Sequence, residues 1–350
     1  MGALSQKRLI NIILVIFSLC VAIYGLELAL RLTTPAFLKT NYSITGDFTD
    51  FVNRGFFDAT IFHKDPGVIR ILGIGDSFSE FFKGTALNYH NILEKQLNKS
   101  NSTKKYEVIN AGISNTGPGY YWNTLEKFGD LFKPDLVLIA FFIGNDFTEM
   151  RFNSRRIGMF IVEPVEGANG LSTYLNYKRL WIFQLVRGWW IAWRNSLSKG
   201  AGTFSEDEFY NIEKTRLWIF ENSKREKLDK LWNNDSVILS KINNWCRERK
   251  IPFLVVVIPD QIQVDETLQH DLFAKFNISA NSVDLLYPNN ILINYFERNH
   301  IHYVDLTIPM QKAGKSRPLY LVRDTHWNEA GHEIAGNIIG DYVRTHNLLK

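Results

Sequence analysis

Four short blocks hold the residues whose types and spacing can do chemistry. Ser77 lies in Gly73-Ile74-Gly75-Asp76-Ser77-Phe78-Ser79-Glu80, directly behind an apolar run. A serine on a tight strand-to-helix turn exposes its hydroxyl and aims its backbone N–H into the same space, and the glycines permit that turn. The stretch reads as readily as a polar turn capping the next helix, and Ser79 excludes a Gly-x-Ser-x-Gly elbow. Gly112, in Asn110-Ala111-Gly112-Ile113-Ser114, offers an N–H at close range, or is a plain turn glycine. Asn145, in Phe142-Ile143-Gly144-Asn145-Asp146, can donate its side-chain amide, although Gly-Asn-Asp is also a good turn. In the fourth block, Arg323-Asp324-Thr325-His326-Trp327-Asn328-Glu329-Ala330-Gly331-His332, an acid precedes a histidine by two residues. A carboxylate so placed can orient the imidazole through Nδ1–H, leaving Nε2 to take a serine proton. Asn328 also fits a helix N-cap, and His332 reads as a packing residue. No carboxylate or cysteine set stands at ligand spacing around His326 and His332, so neither a metal nor a cofactor is expected.

These blocks need a scaffold that brings them together. Five short apolar runs, 68–74, 106–109, 136–142, 253–258 and 302–306, lack polar alternation, as strands buried on both faces do. Helical patterns fall between them at 91–97, 120–131, 237–249, 290–299 and 329–346. The alternation predicts a three-layer α/β/α fold on a five-stranded parallel sheet of flavodoxin-like order. Each block then closes a strand, the edge where such sheets form sites. About a hundred residues part the third run from the fourth, and 149–235 is expected to be a helical insertion. It opens with a loop rich in Gly and Asn (Gly158, Gly167, Asn169, Gly170). Ser205 and Glu208 have capping-box spacing for a charged helix.

Ahead of the sheet, residues 9–30 read LINIILVIFSLCVAIYGLELAL, long enough to span a bilayer as a helix. Lys7 and Arg8 precede the run, which puts the N-terminus in the cytoplasm and the rest outside. The expected division is a stub and transmembrane anchor over 1–32, a connecting segment over 33–66, and the catalytic domain over 67–350. A cleaved signal peptide is the rival reading. The net charge of +4 is spread along the chain, without the basic stripe of a nucleic-acid binder. Cys20 and Cys246 have no disulfide or metal pattern.

Ser, Gly, Asn and His closing successive strands in that order resemble the SGNH (GDSL-type) hydrolase family. Ser77, Gly112, Asn145 and His326 match its four letters, over about 69–347 without the insertion. One departure is clear: the family usually has Asp three residues before His, where this chain has Arg323. The Asp324-Thr325-His326-Trp327 form is similar to the membrane-linked branch that acts in exopolysaccharide acetylation, including the alginate O-acetyltransferases. Val257-Ile258-Pro259-Asp260-Gln261-Ile262-Gln263-Val264 resembles it more loosely. The resemblance implies a triad of Ser77, Asp324 and His326, with an oxyanion hole made by the N–H groups of Ser77 and Gly112 and the Asn145 amide. Asp76 and Trp327, beside the triad, are the expected substrate contacts. The implied protein is an inner-membrane, single-pass, periplasmic serine esterase that deacetylates a glycan or lipid. The alternatives are an O-acetyltransferase of exopolysaccharide biosynthesis and a non-catalytic assembly protein. Polysaccharide-assembly proteins are the partners this branch implies.

Residues 179–197, RLWIFQLVRGWWIAWRNSL, add a helical pattern with Gln184, Arg187 and Arg194 on one side and Trp181, Phe183, Trp189, Trp190 and Trp193 around the rest. Such a helix suits a membrane interface, an acyl or glycan pocket, or plain burial against the core.

Overall fold

A computed structural model describes residues 3–33, 39–41, 62–80, 82, 85–100, 104–114, 116–148, 154–157, 161–164, 180–186, 190 and 203–349. They divide into two units, Met1–Phe57 with Phe152–Ser198, and Asp58–Arg151 with Lys199–Lys350.

In the first unit, helix α1 (Ala3–Thr33) contains Ile10–Leu32, which is long and apolar enough to cross a membrane. Its apolar side chains are exposed along that length. Strand β1 (Lys39–Asn41) pairs antiparallel with β5 (Ser154–Ile157), which pairs antiparallel with β6 (Ile161–Pro164). The sequence reading has no strands in this stretch; SRRI and IVEP are short and charged, with too little apolar alternation to stand out. Residues 181–186 are helical, but Arg187, Trp189, Trp193 and Arg194 of the aromatic pattern, and Gly158, Gly167, Asn169 and Gly170 of the expected loop, lie outside the described residues.

The second unit is built on strands β2 (Val68–Ile74), β3 (Lys105–Asn110), β4 (Leu136–Phe142), β7 (Phe253–Ile258) and β8 (His302–Asp305), all parallel, in the order β3-β2-β4-β7-β8. This is the flavodoxin-like order. The middle strands β4 and β7 are buried at every residue, whereas the edge strands alternate or lie open. That difference is why three strand limits agree residue for residue with the apolar runs and the two edges shift. Helix α3 (Tyr89–Ser100) packs on α11 (Glu329–Thr345), and α4 (Pro118–Phe132) packs on α6 (Arg225–Glu248). Helix α6 starts at Arg225 rather than 237, because its first turns are charged and exposed and dilute the apolar period. The Ser205–Glu208 capping box starts α5 (Glu206–Arg216): the Glu208 N–H donates to Ser205 Oγ, and Glu208 Oε2 accepts from the Ser205 N–H at 3.1 Å. The VIPDQIQV phrase closes β7, where Asp260 and Gln263 form a capping box for the short helix α7 (Gln261–Val264).

A buried cation ties β2 to its surroundings. The Arg70 side chain has no exposed surface; it pairs with Glu107 on β3 at 2.8 Å and donates to the carbonyls of Phe132 at 2.8 Å and His63 at 2.6 Å. Removing one partner of such a group leaves the others unsatisfied. We therefore expect Arg70→Met to lower the unfolding free energy by about 3 kcal/mol, read as a lower urea midpoint at unchanged m-value. A midpoint equal to that of the parent chain would show that the network contributes nothing net.

Candidate active site

Strand β2 ends at Ile74, and the chain turns sharply through Gly75 and Asp76 into the short helix α2 (Ser77–Glu80). A side chain at residue 75 would strike Ser79 Oγ at 2.3 Å and the Ala140 Cβ at 2.9 Å, so only glycine lets the turn sit this close to β4. Asp76 Oδ1 accepts the Phe78 N–H at 3.0 Å, and the Asp76 carbonyl accepts from Ser79 and Glu80. Ser77 is left half-buried at the head of the helix.

The base arrives from the far end of the chain. Thr203 and Phe204 donate their N–H groups to the Val322 and Arg323 carbonyls. Arg323 takes a left-handed φ of 46°, rare for a side chain of this kind. That turn brings Asp324 to the imidazole. Asp324 Oδ1 accepts the His326 N–H at 3.0 Å and pairs with Nδ1 at 2.6 Å, while His326 Nε2 stands 2.8 Å from Ser77 Oγ. With Nδ1 donating to the carboxylate, Nε2 is the acceptor for the serine proton. Asn328 caps α11, accepting from Ala330 at 2.9 Å and Gly331 at 3.2 Å, and so ends the loop. Burial pushes the Asp324 carboxyl up, but the hydrogen bonds and charge of His326, with Thr203, bring it below its ordinary value.

The third strand supplies an amide. Asp146 Oδ2 accepts the Phe142 N–H at 2.9 Å and the Tyr121 hydroxyl at 3.0 Å, which fixes the loop carrying Asn145. Asn145 lines a cavity of about 720 Å³ together with Ser77, Thr148, Arg216, Trp218 and His326. Its aromatic and cationic wall comes from α5 and the turn Leu217–Ile219, with the Lys227 ammonium 3.8 Å from the Trp218 ring centre. Sequence reasoning missed Arg216, Trp218 and Lys227. Only the Ser205 cap hinted at the helix that ends on Arg216. Behind Arg216, Glu213 is buried, and burial with the neighbouring Asp260 holds its carboxyl well above the ordinary range.

Three of the expected site residues are held by packing and hydrogen bonds within the fold. Asp76 has no exposed surface; its carboxylate holds the turn and interacts with the Asn145 side chain. Trp327 is likewise fully buried, edge-on to Phe78 at 4.9 Å and to His332 at 5.6 Å, so it supports the site from behind. The Gly112 N–H donates to Asn110 Oδ1 at 2.9 Å, and a side chain there would overlap the Ser79 Cβ at 2.1 Å. Gly112 thus serves close packing of α2 against the end of β3. His332 is a buried packing ring, stacked on Tyr89, and burial lowers it to about 4.

Residues 215–350 match the family described as SGNH hydrolase-like domain, acetyltransferase AlgX. The SGNH match takes in Asp324 and His326; Ser77, Gly112 and Asn145 precede it. Among solved structures, the chain is similar to the acetyl xylan esterase AlAXEase, at 14% identity and a TM-score of 0.42, over 79% of this chain and 100% of that one. It is also similar to a catalytic variant of the acetylxylan esterase Axe2 from Geobacillus stearothermophilus, at 12% identity and a TM-score of 0.40, over 79% and 94%. TesA aligns at 13% identity and a TM-score of 0.42, over 80% and 99%. No curated protein matches.

The buried Asp76 carboxyl makes the turn pH-sensitive. Burial raises it from 3.8 to about 6, against the lowering pull of the Phe78 N–H, His326, Asn145 and Arg216. For an acid raised on folding, the stability is fully present below pH 3.8 and lost as pH rises through about 6. Asp76→Asn keeps an acceptor for the Phe78 N–H and removes the titration. The variant should gain on the parent chain by about 2–3 kcal/mol between pH 4 and pH 7. Urea midpoints that keep a constant offset across that range would show that Asp76 does not titrate there.

Proposed function

We propose that this protein is a membrane-anchored, extracytoplasmic serine enzyme that moves acetyl groups on a glycan through an acyl-Ser77 intermediate. The observation that carries the reading is the unbroken relay from Ser77 Oγ through His326 to Asp324, with links of 2.8 and 2.6 Å. Ser77 Oγ attacks the ester carbonyl while His326 Nε2 takes its proton, and Asp324 stabilises the imidazolium. The Ser77 N–H, at the head of α2, and the Asn145 amide meet the oxyanion; a donor of this kind is worth about 3–4 kcal/mol in the barrier. Gly112 joins them only where its N–H exchanges Asn110 for the substrate. Collapse of the tetrahedral intermediate expels the alcohol, which takes the proton from His326, and leaves acyl-Ser77.

The second half of the reaction decides the product. A sugar hydroxyl as the next nucleophile gives O-acetyl transfer, which the match to the acetyltransferase AlgX supports. Hydrolysis is the second reading, supported by the 20% exposure of the His326 side chain, which lets water reach the acyl carbonyl. The cavity wall of Trp218, Arg216 and Lys227 suits a hydroxylated ring better than a bare acyl chain. The anchor reading rests on Ile10–Leu32 behind Lys7 and Arg8.

Ser77→Ala should abolish labelling by a fluorophosphonate and turnover of a small acetyl ester, with the far-UV spectrum unchanged. Full activity in that variant would remove Ser77 as nucleophile. Asp324→Asn should lower kcat by about 10⁴-fold through the wrong imidazole tautomer, and an unchanged rate would take Asp324 out of the relay. Mass spectrometry of the cell-surface glycan separates the two fates: deletion of the gene lowers acetyl content if the enzyme transfers, and raises it if the enzyme hydrolyses.

A further inference from the structure

Glu27 is a carboxylate in an apolar helix, yet it is 1% exposed. Its partners come from two places. Arg31, one turn on, donates from Nε to Oε1 at 2.7 Å. The Trp181 N–H donates to Oε1 at 3.1 Å, and the Ile182 N–H donates to Oε2 at 3.0 Å. These are the leading N–H groups of helical residues 181–186, which have no acceptor inside their own helix, and a carboxylate is the favoured partner there. The Arg31 guanidinium also lies 4.8 Å from the centre of the Trp181 ring, and Leu30 and Leu185 pack against that ring. Residues 27, 30 and 31 thus make one face of α1 into a socket for the second helix.

Among described residues 181–186 and 190, the exposed side chains are apolar. Phe183, Val186 and Trp190 are exposed at 37%, 64% and 56%, and Phe183 and Val186 stand three residues apart, on one face of helical residues 181–186. That stripe is joined through Glu27 to the C-terminal end of a helix whose own apolar side chains are exposed along Ile10–Leu32. Aromatic and aliphatic residues beside an arginine at the end of a span suit the boundary between headgroups and acyl chains. We propose that Glu27 docks the aromatic segment on the outer end of the anchor, so that Phe183, Val186 and Trp190 enter the interfacial layer of the bilayer. The inference rests on α1 being a membrane anchor and extends it to a two-part attachment held by a buried acid. Loss of Glu27 leaves two backbone N–H groups and an arginine without their acceptor in a place poor in water.

The full chain is reconstituted in vesicles of phosphatidylethanolamine and phosphatidylglycerol, with Cys20→Ser and Cys246→Ser as background. An environment-sensitive dye is placed at Val186→Cys and, in a separate chain, at Val237→Cys, which is exposed on α6. The dye at 186 should be blue-shifted, quenched by nitroxide lipid and several-fold less accessible to iodide than the dye at 237. Equal iodide quenching at the two positions in a chain that floats with the vesicles overturns the inference while the anchor reading stands. A chain that does not float with the vesicles overturns both. Shielding of the dye at 186 only in native membranes, and not in the pure vesicles, overturns it in favour of a protein partner. In the same vesicles, Glu27→Ala should speed hydrogen exchange at the Trp181 and Ile182 amides by about five- to tenfold, with Glu27→Gln in between because it keeps an acceptor. Unchanged exchange in Glu27→Ala means that the acid is not the clamp.

Discussion

The 2.8 Å contact between Ser77 Oγ and His326 Nε2 joins residues 249 apart, and the rest of the second unit is arranged so that it can form. No local element can make it. It requires β2 to end where the loop ahead of α11 passes, and that follows from the strand order β3-β2-β4-β7-β8, with every strand running the same way. The sheet in turn depends on β4 and β7 being buried at each residue, which leaves the polar blocks to the strand ends. Geometry at the serine is therefore paid for by apolar burial some distance below it.

Around that contact the supports are polar and specific. Asp76 holds the serine turn, Asp146 and Tyr121 hold the asparagine loop, and Asn328 ends the histidine loop on a helix cap. Phe78, Trp327, Tyr89 and His332 fill the space behind with ring-to-ring contacts. Ser77, Asn145 and His326 thus sit on short turns and loops, or at the head of a helix, that hydrogen bonds hold in place, the condition under which hydrogen-bond geometry survives thermal motion.

Much of this was legible beforehand, for identifiable reasons. Continuous apolar runs mark doubly buried strands, so 68–74, 136–142 and 253–258 stood out to the residue. Ser77, Asp324 and His326 each read as well as a turn or a cap, and it was the resemblance of the four blocks together that implied a triad. Side-chain direction was not legible: Asp76 and Trp327 are next to reacting residues in the chain and point into the protein instead. Arg216, Trp218 and Lys227 carry no motif, since a cavity wall is assembled from residues that are neighbours only after folding. The left-handed turn at Arg323, which lets an acid two residues before the histidine do the work usually given to one three before, has no sequence signal either. Arginine is not a residue one would choose for it.

The placement of the two halves of the relay has a consequence for biosynthesis. The hydroxyl group is made well before its partner imidazole, with the sheet strands β3, β4, β7 and β8 added between them. A chain released too soon holds a serine of ordinary reactivity, because nothing is yet there to take its proton. The order of synthesis thus acts as a safety catch: Ser77 has no imidazole beside it until segments 249 residues apart have met. Closing so long a loop is also a slow kind of folding step, so the catch is released late in folding.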